Sequence, residues 1–270
     1  MGSGDHPEDG GVASAVAEAA AEAAAGAVAE AAPGAAPGAA AEAAPGAVPD
    51  SHWVRWHEPY EDPDSNLSRR LREVQSMVRG ALDDVADPLP HPGPIRIVSL
   101  CAGQGRDVID VVATHPRGPE VSALLVELDP ALVAFARDRA AAAGVADRIR
   151  IVEGDASQAG WYADDVPADI VLVCGVFGNI GGADITRTIQ AMRGFCLPGG
   201  HVVWTRHRRA PDATPAIRAD FADAGFTELG FEAPEGTVMT VGHHRLDGAT
   251  APFDPDQVLF DFVGDGFAPA

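Results

Sequence analysis

The stretch Ile95-Arg96-Ile97-Val98-Ser99-Leu100-Cys101-Ala102-Gly103-Gln104-Gly105-Arg106-Asp107 constrains this chain more than any other. An apolar, β-branched run passes through a Gly-x-Gly turn straight into a helical pattern over residues 108–113. Such a run reads as a strand covered on both faces, hence a member of a parallel sheet that delivers its loop to a ligand edge. Gly103 and Gly105 allow a sharp turn and a close approach of backbone to ligand, and the helix start beyond them offers unpaired N–H groups. A Gly-x-Gly is also an ordinary tight turn, so the reading depends on the residues downstream of it.

A second strand over residues 121–128 places Glu127 near its C-terminal end, where a carboxylate can accept hydrogen bonds from both hydroxyls of a ribose. Asp129, followed by Pro130, reads as the N-cap of a helix over 131–143 that Gly144 stops. A third strand over 149–152 ends in Glu153-Gly154-Asp155-Ala156. Asp155 can accept from an adenine amino group there, and is equally at home as a plain loop residue. The fourth strand, 168–174, opens into Gly175-Val176-Phe177-Gly178-Asn179-Ile180. A helix over 183–195, the turn Leu197-Pro198-Gly199-Gly200 and a fifth strand over 201–205 come next. This alternation predicts a doubly wound α/β sheet, Rossmann-like and mostly parallel. After a helix over 213–224, strands over 227–233 and 237–243 share the short joint Pro234-Glu235-Gly236. They form a C-terminal hairpin, so one strand runs antiparallel to the sheet.

Residues 1–50 differ in kind: they are rich in Ala, Gly and Pro and hold no aromatic residue, Leu, Ile, Lys or Arg. That composition predicts a disordered or partly helical acidic tail. The organisation expected is therefore a tail at 1–50, a leading segment at 51–94, the sheet domain at 95–246 and an extension at 247–270. The net charge is −21, and the tail's eight acids leave −13 for the rest. So acidic a chain is repelled by a phosphate backbone, which argues against nucleic acid as partner. No targeting peptide or apolar membrane span is read, and the expected location is cytoplasmic. Cys101, Cys174 and Cys196 lack metal spacing and read as small buried thiols, so no metal is expected.

In the leading segment, Trp53, Trp56, His57 and Tyr60 crowd ahead of a helix that has Asp64 or Ser65 as N-cap and Leu67, Leu71, Val74, Val78 and Leu82 at helical spacing. The aromatic residues either pack this helix onto the domain or form a lid that excludes water from a pocket, offering the His57 imidazole and the Tyr60 phenol to a substrate.

The order of these features resembles the class I S-adenosylmethionine-dependent methyltransferases. In that family the first strand leads into Asp-x-Gly-x-Gly-x-Gly or a variant. Here Ser99-Leu100-Cys101-Ala102-Gly103-Gln104-Gly105 stands in its place, the last two glycines matching and Ser99 and Cys101 replacing the acid and the first glycine. Glu127 matches the family's ribose acid and Asp155 its adenine-side acid. Leu197-Pro198-Gly199-Gly200 resembles the turn before strand five, and the closing hairpin is the family's addition to a Rossmann-like sheet. The resemblance implies S-adenosylmethionine as cofactor, held at Cys101, Ala102, Gly103, Gly105, Glu127, Leu128, Asp155, Ala156, Cys174 and Gly175. More narrowly, the Cys-Gly-Val-Phe-Gly-Asn loop resembles that of a group of candidate actinobacterial methyltransferases. Two alternatives stand beside a methyltransferase. One is a non-catalytic sensor or complex partner that binds the cofactor or its product. The other is an NAD(P)-dependent oxidoreductase, against which Val108 occupies the third glycine position of Gly-x-Gly-x-x-Gly.

Methyl transfer from a sulfonium requires an aligned acceptor and, for an OH or NH acceptor, removal of a proton. The candidate residues stand at the ends of strands four and five and in the leading segment. Asn179 can orient a small-molecule acceptor, Phe177 can wall the pocket, Arg206 can hold an acidic substrate and His207 can act as base, with His57 and Tyr60 opposite. The run Arg206-His207-Arg208-Arg209 reads equally as a solvated loop. His243 and His244 read as structural.

Overall fold

The computed structural model describes residues 52–263. Seven strands form one sheet: β1 (Ile95–Leu100), β2 (Val121–Glu127), β3 (Ile149–Glu153), β4 (Ala168–Val173), β5 (Cys196–His207), β6 (Phe226–Glu232) and β7 (Met239–Leu246), in the order β3-β2-β1-β4-β5-β7-β6. The first five are mutually parallel, and β7 inserts antiparallel between β5 and β6. The expected doubly wound sheet with its C-terminal hairpin is present. The order reverses between β1 and β4, and at such a switch point the loops diverge and leave a crevice beyond the strand ends.

Alternation along the strands divides the core. Val98, Leu100, Leu124 and Val126 face α5 (Gly182–Phe195) and α6 (Thr214–Asp223), while Ile97, Leu125, Ile170 and Leu172 face the helices of the other side. Those are α2 (Asn66–Asp84), α3 (Arg106–Thr114) and α4 (Pro130–Ala142). The short α1 (His52–His57) and a 3-10 turn at Glu58–Glu61 precede α2. Ser65 caps α2, its hydroxyl accepting from Ser68 N at 3.0 Å, and Asp129 caps α4 by accepting from Ala131 N and Leu132 N. The stripe Val74, Val78, Ala81 and Leu82 buries α2 in the same core as β1, so this helix is part of the domain's packing rather than a separate cover. The expected tail, residues 1–50, lies outside the described residues.

One feature differs from expectation, and the course of the extension beyond β7 had no sequence signal. Leu197-Pro198-Gly199-Gly200 is a bulge inside β5 rather than a turn before it: pairing jumps from Ala168↔Cys196 to Ile170↔His201. A Cβ at Gly200 would lie 2.9 Å from the Ala168 carbonyl oxygen, which explains the glycine. The extension beyond β7 is a strap. It returns along α5 through Ala251 N to Arg193 O (3.0 Å), bridges Gln158↔Val258 and Ile180↔Phe262, and buries Leu259 and Phe260 completely. The three thiols are unpaired, Cys174 and Cys196 buried and Cys101 half-buried. His243 and His244 are core residues, His243 Nε2 lying 2.9 Å from His201 Nδ1. Among the described residues no helix is long and apolar enough to cross a membrane.

Candidate functional site

A cavity of about 770 Å³ opens at the carboxyl ends of the parallel strands, over the switch point. Its floor is the loop after β1. There Cys101, Gly103 and Gly105 adopt φ of +49°, +56° and +67°, so the chain coils through the left-handed region and Gly105 becomes the N-cap of α3. Cys101 holds this conformation against the Cβ penalty that glycine avoids. Glu127, at the tip of β2, fixes the loop: its Oε2 accepts from Gly103 N at 2.7 Å and its Oε1 from Asp129 N at 2.9 Å. Burial pushes the Glu127 carboxyl up, and the backbone N–H donors of Asp129 and Gly103 act in the opposite direction.

Cys101, Ala102, Gly103, Glu127, Leu128, Asp155, Ala156, Cys174 and Gly175 all line this cavity. Gly105 does not. It sits beneath the floor, where a Cβ would come within 2.7 Å of Ile109 and 2.9 Å of Leu125, so its role is the turn. The Asp155 carboxylate accepts from Ser157 N (3.0 Å) and Gln158 Nε2 (3.2 Å) at the tip of β3.

The leading segment forms one wall. Trp53, Trp56, His57 and Tyr60 line the cavity, and the His57 ring is laid on Gly103, where a Cβ would stand 2.6 Å from its Nε2. His57 Nδ1 donates to Trp53 O at 2.7 Å, which leaves Nε2 as an acceptor toward the loop. Burial lowers its pKa to about 4, so the ring is neutral near pH 7. The Tyr60 hydroxyl accepts from Arg70 Nη2 at 2.6 Å, and burial pushes it up to about 12. At neutral pH it is a phenol, bonded to Arg70. Arg106 joins this wall to the floor, donating to Gln104 Oε1 (2.6 Å) and Glu61 Oε1 (2.9 Å) and lying 5.1 Å from the ring centroids of Tyr60 and Phe135.

Sequence reasoning missed Arg70. It occupies the buried stripe of α2 one turn before Val74, is 6% exposed, and lies over the Trp56 ring at 5.4 Å. A charged residue in register with an apolar stripe is the signal that could have found it. Burial opposes its charge, but Tyr60, Asp107 and Cys174 around it outweigh that effect. Asp107 is raised by burial, with Arg70 and a hydrogen bond from the Cys174 thiol pulling it down. The Cys174 thiol itself is pushed well up by burial and by Asp107.

The opposite wall comes from β4, β5 and β7. Asn179, Arg206 and His207 line it, together with Thr205, Val238 and Met239. Asn179 Nδ2 donates to Gly175 O at 2.7 Å, and Thr205 Oγ1 accepts from Gly175 N at 2.8 Å, so both hold the loop after β4. Arg206 donates to Phe177 O. His207 is lowered by burial and by Arg206 and Arg209, and its buried Nδ1 has no hydrogen-bond partner among the described residues. Phe177, expected to wall the pocket, instead points into the core, fully buried, with ring centroids 5.9 Å from Trp204 and 6.4 Å from Phe221. Phe262, from the strap, lines the cavity, and nothing in the sequence signalled it.

Residues 97–200, from β1 into β5, match the family model described as a methyltransferase domain. No curated protein matches the chain. Solved structures of similar fold include a candidate O-methyltransferase from Nostoc punctiforme, 18% identical over 72% of this chain and 59% of that one, with a TM-score of 0.52. An O-methyltransferase family protein from Burkholderia thailandensis is 17% identical over 72% and 62%, with a TM-score of 0.50. A methyltransferase from Thiobacillus denitrificans, crystallised with S-adenosylhomocysteine, is 18% identical over 67% and 71%, at 0.47. The chain spans less than two thirds of the length of the first two, and at such identities the likeness is one of fold.

Proposed function

We infer that this chain, which belongs to the class I methyltransferases by fold and by the domain-family match, is an S-adenosylmethionine-dependent enzyme acting on a small-molecule acceptor. The observation that carries the reading is Glu127, a buried carboxylate at the β2 tip that pins a left-handed loop while lining a cavity over the switch point.

The residues present fit the cofactor. Gly103 keeps the floor free of a Cβ that would meet His57, and the Glu127 carboxylate keeps lone pairs beyond its two backbone bonds for a ribose diol; Asp155, exposed at the β3 tip, can accept from an adenine amino group. When bound, S-adenosylmethionine supplies an electrophilic methyl group on a sulfonium. The chain's own contribution is to orient the acceptor and exclude water. Trp53, Trp56 and His57 cover the floor from one side, and Asn179 and Thr205 fix the β4 loop on the other. His207, neutral near pH 7 because its pKa is lowered, can take a proton from the acceptor at a ring nitrogen. Tyr60, kept protonated by its high pKa, and His57, kept neutral by its low one and tied to Trp53 O, act as wall and scaffold.

The test is calorimetric titration with S-adenosylmethionine, S-adenosylhomocysteine and NAD, followed by transfer of labelled methyl to small-molecule extracts. Binding of the first two and not NAD is expected, with Glu127→Gln weakening both about 10- to 100-fold, the loss of one or two charge-assisted hydrogen bonds. Binding without transfer into any fraction would leave a sensor as the better reading.

A further inference from the structure

Charge is divided across the cavity. Five arginines and three carboxylates line it, in a chain whose acids outnumber its basic residues 40 to 19. Glu127 and Asp155 stand at the tips of β2 and β3, and Asp107 faces Arg70. Arg206 and Arg209 belong to the β5 end, three strands across from β2 in the sheet order, about 14 Å at ordinary strand spacing. No carboxylate of the lining lies on that side. The acid that acts on Arg206 is Asp212, whose Oδ1 already accepts from Thr214 N at 2.9 Å and Thr214 Oγ1 at 2.7 Å. Arg206 is anchored by its bond to Phe177 O, its Nε is buried without a hydrogen-bond partner among the described residues, and the adjacent His207 Nδ1 is in the same condition. Val238, Met239 and Phe262 supply apolar surface beside this donor set.

We propose that the β5 end of the cavity is an anion subsite, in which Arg206, supported by Arg209, holds the carboxylate of an acceptor whose apolar body lies against Met239 and Phe262. The acceptor class is thus a small organic acid with an apolar or aromatic body. A guanidinium fork suits a carboxylate, and an anchored one loses little freedom on binding it. The assignment rests on the methyltransferase reading for the word acceptor, but the subsite itself can be tested without turnover.

The probes are matched pairs of aryl carboxylates and their primary amides, 4-hydroxybenzoate with 4-hydroxybenzamide among them. They are titrated by ligand-observed NMR into the full chain, with and without saturating S-adenosylhomocysteine. Acids should bind about tenfold tighter than their amides in both conditions. Arg206→Met should abolish that preference, Arg206→Lys should keep part of it, and Arg209→Gln, a change on an exposed residue, should reduce it. S-adenosylhomocysteine affinity, unchanged in all three variants, reports that the fold and floor survive. Equal binding of acids and amides, no binding of any acid, or a preference that persists in Arg206→Met overturns the proposal. So does displacement of the acids by S-adenosylhomocysteine, or a tenfold loss of its affinity in Arg206→Met, since either would assign Arg206 to the cofactor's own carboxylate. If wild type fails to bind S-adenosylhomocysteine at all, the methyltransferase reading falls, while the acid preference without it still stands or fails independently.

Discussion

Replacing Gly103 by alanine perturbs two things that can be separated. The backbone φ of +56° puts an alanine in the left-handed region, at a cost of about 1–2 kcal/mol that no neighbour can relieve. The new Cβ would also stand 2.6 Å from His57 Nε2 and 3.3 Å from its Cε1, and the ring cannot simply swing away because Nδ1 is tied to Trp53 O at 2.7 Å. Moving it costs about another 1–2 kcal/mol, the usual range for a single overpacked contact. His57→Ala alone removes that hydrogen bond and the packing of a ring that is 7% exposed, about 2 kcal/mol. In the double variant the backbone strain remains but the clash is gone. The two changes should therefore be less than additive by about 1–2 kcal/mol. Urea unfolding of the four proteins at constant m-value reads this directly. Additivity within about 0.3 kcal/mol would refute the placement of His57 on the loop, and with it the view that the leading segment covers the cofactor floor.

The buried aromatic cluster sets two further outcomes. His244, fully buried against Trp204 and Phe221, has its pKa lowered to about 4 by burial. The unfolded chain takes up the proton first as pH drops below about 6.5. The stability present above that pH is thus lost on the way down to about 4, by up to about 3 kcal/mol for this residue, and urea midpoints of His244→Phe should fall less steeply across that window than those of wild type. Phe177→Ala should cost about 3–5 kcal/mol of unfolding free energy without altering selectivity among acceptors. An unchanged stability with altered selectivity would return Phe177 to the pocket wall.

What the sequence made legible was set by periodicity and by strand tips. A buried strand announces itself by an unbroken apolar run, and the residue at its carboxyl end has one place to go, so Glu127 and Asp155 fall where the chain order puts them. Phe177 could not be read the same way. In Gly175-Val176-Phe177-Gly178 the side-chain directions depend on the turn, and the aromatic ring finds Trp204 and Phe221 from β5 and α6, elements remote in sequence. Arg70 was hidden by the rule that arginines sit outside, which fails where Tyr60 and Asp107 supply partners. The bulge in β5 depends on the Ala168 carbonyl approaching Gly200, and the strap is held by isolated bridges and side-chain bonds without period.

That strap gives the cavity an unusual history. Trp53 and Phe262, near the two extremes of the described chain, border the same space. Closure of so long a loop is slow relative to formation of β1–α3–β2 and its neighbours, so the sheet and its glycine loop can assemble while the space above them is still open to water. A nascent chain ending before Leu259 would carry the floor and the acids of the site without its last apolar wall. A purification tag fused close behind Phe262 would hang from the segment that finishes that wall, which makes the placement of the tag a choice with consequences for every binding measurement on this protein.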